Sequence, residues 1–147
     1  MSLGNRPPHL QWRLIGLVAL GGAIGTAARA GLGIAVTAAL PGAVFPVTTF
    51  TVNLIGAFVL GVLLEALVLR GPDEGVRRSI RLFVGTGVLG GFTTYSAFST
   101  DTARLLLAGE TLIAAGYALG TVVLGGAASL GGILLARAAH RETGGAR

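Results

Sequence analysis

The sequence offers little chemistry, and its placement is informative. Asn53 sits in T-T-F-T-V-N-L-I-G-A-F, an uncharged apolar stretch, where an amide carries two N–H donors and an acceptor oxygen. Such a group must find partners, either on a neighbouring helix, as glue, or on a ligand. Taken alone, Asn53 fits both readings equally. Arg29 is the only charge between Leu14 and Leu40. In hydrocarbon it would cost roughly 2.5–3.5 kcal/mol, so it faces a water-filled vestibule or snorkels. The stretch G-G-F-T-T, from Gly90 to Thr94, puts two glycines ahead of two β-branched polar residues, a poor local recipe for an unbroken helix. A break there would free carbonyls that need a partner away from water, and a buried cation is one solution. The alternative is a continuous helix whose threonine hydroxyls bond back to preceding carbonyls, and periodicity alone slightly favours it. Tyr95 and Phe98 lie three apart on one face, which by itself signals packing.

Equally informative are the absences. There is no cysteine, which removes disulfides, thiolate metal sites and thiol nucleophiles. No His, Ser and Asp constellation, metal-ligand cluster or phosphate loop supports an enzyme. No acid lies at the middle of an apolar run: Glu65 and Asp101 fall toward run ends, near Arg70 and Arg104 in sequence. A proton relay or an exporter of cationic drugs would want a mid-membrane carboxylate.

The elements that must position these residues are membrane spans. Apolar residues make up 52% and charged residues 12%, mean hydropathy is +0.79, and typical soluble domains carry about 25% charged residues. So little charge cannot cover a water-soluble globule. Four runs match the ~20 apolar residues that cross a bilayer as a helix: 14–40, 47–69, 82–107 and 111–136. The expected fold is therefore an all-α membrane protein of four transmembrane helices in a single domain, 1–147. Its connections are a P-G turn at Pro41 and Gly42, a charged loop from Arg70 to Arg81 and a tight turn at Gly109 and Glu110. The start resembles a signal peptide, but the length of the first run and the three that follow favour a retained helix. Gly21 and Gly25, Gly87 and Gly91, and Gly116 and Gly120 sit four apart, giving small faces suited to close packing in lipid. Four helices leave little interior for a pore, so a homo-oligomer is expected.

The 11 basic residues are all arginines, and they flank the apolar runs as topology signals do, which weighs against a nucleic-acid footprint. With four spans, the termini and middle loop share one side. It carries Arg6, Arg13, Arg70, Arg77, Arg78, Arg81, Arg137, Arg141 and Arg147, against Arg104 on the other. That bias places both termini in the cytoplasm.

Together these segments resemble one family, the small four-helix fluoride channels called Fluc or CrcB proteins. The resemblance covers nearly the whole chain. G-G-A-I-G-T-A-A-R in the first run is similar to the family's Gly-rich stretch ending in arginine. T-T-F-T-V-N-L-I-G-A-F is similar to its G-T-x-x-V-N-x-x-G-S-F, G-G-F-T-T-Y-S-A-F-S to its G-G-x-T-T-F-S-T-F, and Y-A-L-G-T to a Tyr followed four residues later by a hydroxyl residue. The family implies an antiparallel dimer in the cell membrane with two fluoride pores and a third helix broken mid-membrane. It also implies a structural, untransported Na⁺ held by the backbone carbonyls of Gly90 and Thr93 from both subunits. Carried over residue by residue, Asn53 is a pore donor, and Thr49 and Thr121 are pore-side hydroxyls. Tyr95 and Phe98 take the aromatic-box positions, Tyr117 lies beside the pore and Arg29 is the vestibule arginine. The chain departs from the pattern at Tyr95, where Phe is usual, at Ala97 for Thr, at Thr121 for Ser, and at Ala30, where an aromatic often follows the arginine.

The implied function, passive export of toxic fluoride, suits the residue chemistry. Fluoride is small and strongly hydrated, so a pore must replace its water with neutral donors and positive ring edges; a fixed cation inside would hold it too tightly to leave. A vestibule arginine would concentrate anions by its field. The rivals are a non-transporting membrane assembly module and a small multidrug-type exporter. The arginine bias adds one tension: an antiparallel dimer of a chain with fixed orientation needs an oppositely oriented homologue, so a heterodimer is expected beside the family's homodimer.

Overall fold

The computed structural model describes residues 11–144, and they form helices joined by short turns. The first ten residues, with Arg6, and the last three, with Arg147, lie outside the described residues, as does most of the signal-like start. Helix α1 spans Trp12–Ala39, α2 Val47–Val68, α3 Gly75–Ile80, a π-helical stretch Arg81–Leu89, α4 Gly90–Phe92, α5 Tyr95–Leu107 and α6 Thr111–Gly144. Three of them, Trp12–Ala39, Val47–Val68 and the Thr111–Glu142 part of α6, are long and apolar enough to cross a membrane.

The turns fall where Gly and Pro placed them. Gly42 and Gly109 adopt φ of 78° and 80°, a region open to glycine without steric cost. Gly109 closes α5 with a Schellman pair, Glu110 N–H to Leu105 O at 2.9 Å and Gly109 N–H to Leu106 O at 3.1 Å. Two boundaries differ from the sequence reading. The charged loop is shorter than Arg70 to Arg81, because helix begins at Gly75. The last helix runs past Ala136 to Gly144; at ~1.5 Å per residue it far exceeds a ~30 Å hydrocarbon layer. Charge at Arg137 ends an apolar run, but it does not end a helix made of good helix formers.

Packing follows the small residues. A side chain on Gly21 or Gly25 would strike the backbone at Phe83 or Val88, and one on Gly91 would strike Gly22, so α1 lies backbone to backbone against the π-helical stretch and α4. Helix α2 packs on α6 the same way through Gly61 against Ser129 and Gly132 against Phe58. Gly116 and Gly120, expected to form a third such face, meet no backbone. The Arg137 guanidinium ties α6 to Glu65 on α2 at 2.7 Å. Glu65 thus pairs across helices and not with its sequence neighbour Arg70, which bonds the Ala66 carbonyl. Arg104 sits 4.0 Å from Asp101.

Few large side chains are fully buried, Tyr117 and Val52 foremost, whereas Leu107, Leu112 and Leu119 are exposed. Long helices, interior glycines and an apolar exterior are the inverse of a soluble domain. The protein is a multi-pass, all-helical membrane protein.

Candidate functional site

The site begins where the third run leaves helical geometry. Helix α4 ends at Phe92; Thr93 (φ −80°, ψ 161°) and Thr94 (φ −154°, ψ 120°) are extended, and helix resumes at Tyr95. Two side chains make this possible by taking over backbone bonds. The Thr94 N–H, which would close a helical bond to the Gly90 carbonyl, donates to Asn53 Oδ1 at 2.9 Å. The Ala97 N–H, which would bond the Thr93 carbonyl, donates to Thr94 Oγ1 at 3.2 Å, an N-cap of the usual kind. The Gly90 and Thr93 carbonyls are thereby deprived of their helical donors. Thr93 Oγ1 meanwhile bonds back to the Leu89 carbonyl at 2.8 Å, so the hydroxyl back-bond expected of a continuous helix coexists with the interruption.

Asn53 completes the clamp by donating Nδ2–H to the Thr94 carbonyl at 3.1 Å. One amide N–H remains for another acceptor. Beside it a groove of about 380 Å³ is lined by Asn53, Thr93, Thr94, Tyr95, Phe98 and Thr121, with small and apolar residues completing the wall and no charged side chain among them. Tyr95 and Phe98 stack obliquely, centroids 5.9 Å apart. Tyr95 is 80% exposed, so its own chain leaves one side of the groove uncovered. Thr121 reaches the groove, but its hydroxyl proton goes to the Tyr117 carbonyl at 2.7 Å, which leaves oxygen lone pairs free.

Thr49 and Tyr117 lie one layer away. Thr49 is buried and donates to Asp101 Oδ2 at 2.7 Å, on the wall of a second pocket of about 280 Å³ that Thr48 and Phe45 also line. Tyr117 is fully buried, with its ring 5.4 Å from Phe98 and 5.5 Å from Phe45, and its hydroxyl has no partner among the described residues. Phe98 therefore bridges the groove and this aromatic cluster. Arg29 is half-buried on α1, lines neither pocket and pairs with no acid among the described residues. No group of His, Cys, Asp and Glu that could hold a metal occurs among them either, so any cation at the break depends on carbonyl oxygens. Sequence reasoning passed over three participants. Thr94 carried a signal as a threonine just ahead of a helix; Asp101 as Thr49's partner and Phe45 as Tyr117's gave none.

What fold and site define together is a multi-pass helical membrane protein with a neutral, donor-bearing groove beside a helix interruption. A family model described as "CrcB-like protein, Camphor Resistance (CrcB)" matches residues 16–133, and the chain belongs to the CrcB family. It is 58% identical over 133 residues, 90% of this chain and 89% of the relative, to a protein of Leifsonia xyli subsp. xyli named fluoride-specific ion channel FluC 2. Fluoride-specific ion channel FluC 1 of Cutibacterium acnes is 47% identical over 76% of this chain and 77% of its own length. The fluoride-specific ion channel FluC of a Thermus thermophilus strain is 49% identical over 74% and 83%.

Proposed function

We propose that this chain forms a fluoride-selective passive channel that lets fluoride leave the cell and so lowers its toxicity. The observation that carries the reading is the uncharged groove beside Asn53, where an amide N–H is left over after the Thr94 clamp. Membership of a family whose relatives are named fluoride-specific channels supports it. The amide and the ring edges of Tyr95 and Phe98 offer partial positive charge without a fixed cation, so an ion is stabilised yet free to move on. Thr121 serves as a donor only if its proton leaves the Tyr117 carbonyl, and Thr49 only if it leaves Asp101. In this proposal both hydroxyls swing to the ion as it passes, and Tyr117 beside them supplies an unspent O–H. Arg29 acts from the vestibule, through its field.

The assembly belongs to the same proposal. The third run crosses the membrane as a fourth span with its interruption at mid-depth, and a second, antiparallel copy or homologue covers the open side of the groove at Tyr95. The Gly90 and Thr93 carbonyls, relieved of helical donors, are hard oxygen ligands suited to Na⁺. Donated from both subunits, they would fix the dimer axis, and the ion would supply charge neutralisation without being transported. Arginine bias places the termini in the cytoplasm. The passive-channel reading is tested by asking what drives fluoride flux. Vesicles loaded with fluoride should release it only when a potassium ionophore balances charge, with proton and sodium gradients giving no uphill transport; proton-driven accumulation would overturn the channel reading.

A further inference from the structure

A second feature lies at the edge of the fold, on the side of the middle loop. A groove of about 840 Å³ runs between the first turns of α1 and the start of α3, lined by Arg13, Leu14, Leu17, Leu20, Val76 and Arg78, with Gly16 in its wall. Its composition is divided: guanidinium groups, then leucines reaching along α1 into the apolar span. Among the described residues neither arginine forms a salt bridge, although the Asp73 carboxylate lies near enough to Arg78 to feel its charge. Arg13 has no partner among the described residues, and Arg78 uses only its Nε–H, on the Asp73 backbone carbonyl at 3.1 Å. The nearby Asp73 carboxylate is committed to Arg81, whose Nη2 and Nε lie 2.7 and 3.0 Å from one oxygen, and that bond holds Asp73 below the usual carboxylate range. Trp12, 80% exposed, stands next to Arg13 where an indole suits the lipid–water interface.

We propose that this groove binds one anionic phospholipid, its phosphate between Arg13 and Arg78 and an acyl chain along Leu14, Leu17 and Leu20. Charge complementarity selects the headgroup, since basic pockets at the cytoplasmic membrane edge attract anionic lipids. The apolar wall selects a lipid over a soluble phosphate. Gly16 leaves the acyl chain's path open: a Cβ there would meet nothing within 4 Å. The inference needs the multi-pass membrane reading and is independent of fluoride permeation.

The test titrates the purified full chain, in detergent, with phosphatidylglycerol or phosphatidylcholine and counts bound lipid by native mass spectrometry. Phosphatidylglycerol should bind at least about tenfold more tightly, and inorganic phosphate should not displace it. Arg13→Gln with Arg78→Gln should bring the two lipids level. Gly16→Leu should weaken phosphatidylglycerol binding by filling the wall, and it decides the matter if the double variant does not fold. Fluoride efflux from phosphatidylcholine vesicles should persist in every folded variant, separating loss of the lipid site from loss of the channel. Equal binding of both lipids, displacement by phosphate, or unchanged preference in the variants overturns the site.

Discussion

Asn53 and Thr94, 41 positions apart, exchange two hydrogen bonds: Thr94 N–H to Asn53 Oδ1 at 2.9 Å and Asn53 Nδ2–H to the Thr94 carbonyl at 3.1 Å. The side-chain amide thus replaces what a helix would have given Thr94, and it does so where the chain needs to be extended. The same residue then serves the proposed pore with its remaining N–H, so structure and permeation depend on one side chain.

Asn53→Asp is accordingly expected to fail on both counts. A carboxylate cannot donate to the Thr94 carbonyl, and leaving that group unmet in a partly buried site costs about 1–3 kcal/mol. Its charge also repels an anion. Fluoride efflux should fall by at least about tenfold, a barrier change of about 1.4 kcal/mol; wild-type efflux in a variant that still elutes as folded protein would show that Asn53 is only glue.

Tyr95→Phe is expected to keep fluoride efflux within about threefold of wild type, because the positive ring edge is common to both residues. Tyr95 lines the groove from the start of α5. A vesicle efflux assay checks this, and loss of flux would make the hydroxyl itself a ligand.

Gly25→Ala should lower the thermal midpoint in detergent, since its Cβ meets the Val88 carbonyl and the Phe92 amide and overpacking costs about 1–3 kcal/mol. Gly16→Ala, in the same helix with open space around it, should raise stability by about 0.5–1 kcal/mol. Equal midpoints for the two variants would mean that α1 does not sit as closely on the third run as the geometry requires.

Much of this was legible in the sequence because it is local. Apolar run length found the long helices, Gly42 and Gly109 found their turns, and the spacing of Gly21, Gly25, Gly87 and Gly91 found the close faces. What was not legible depends on three-dimensional pairing. Nothing local says that Asn53 will meet Thr94, that Thr49 will donate to Asp101, or that Glu65 will choose Arg137 over Arg70. Gly116 and Gly120 share the spacing of the true contact glycines, yet they face no backbone; spacing marks a face and not its neighbour. Composition also misjudged the end of α6, since the loss of apolar character at Arg137 marks an expected membrane boundary and leaves helix propensity intact.

Orientation gives a separate prediction. If arginine bias sets the orientation as proposed, with both termini in the cytoplasm, a cytoplasmic reporter fused at the C-terminus should be active and a periplasmic one silent. Comparable signals from both would mean dual insertion, and would favour a homodimer over pairing with an oppositely oriented homologue.

The central claim is that neutral donors around Asn53 pass fluoride and reject larger halides, and it is tested most directly by selectivity. Proteoliposomes loaded with equal fluoride and chloride, followed with ion-selective electrodes after addition of a potassium ionophore, should release fluoride quickly while chloride stays near the protein-free leak. Equal release of the two ions, or no fluoride release above that leak, would contradict the account.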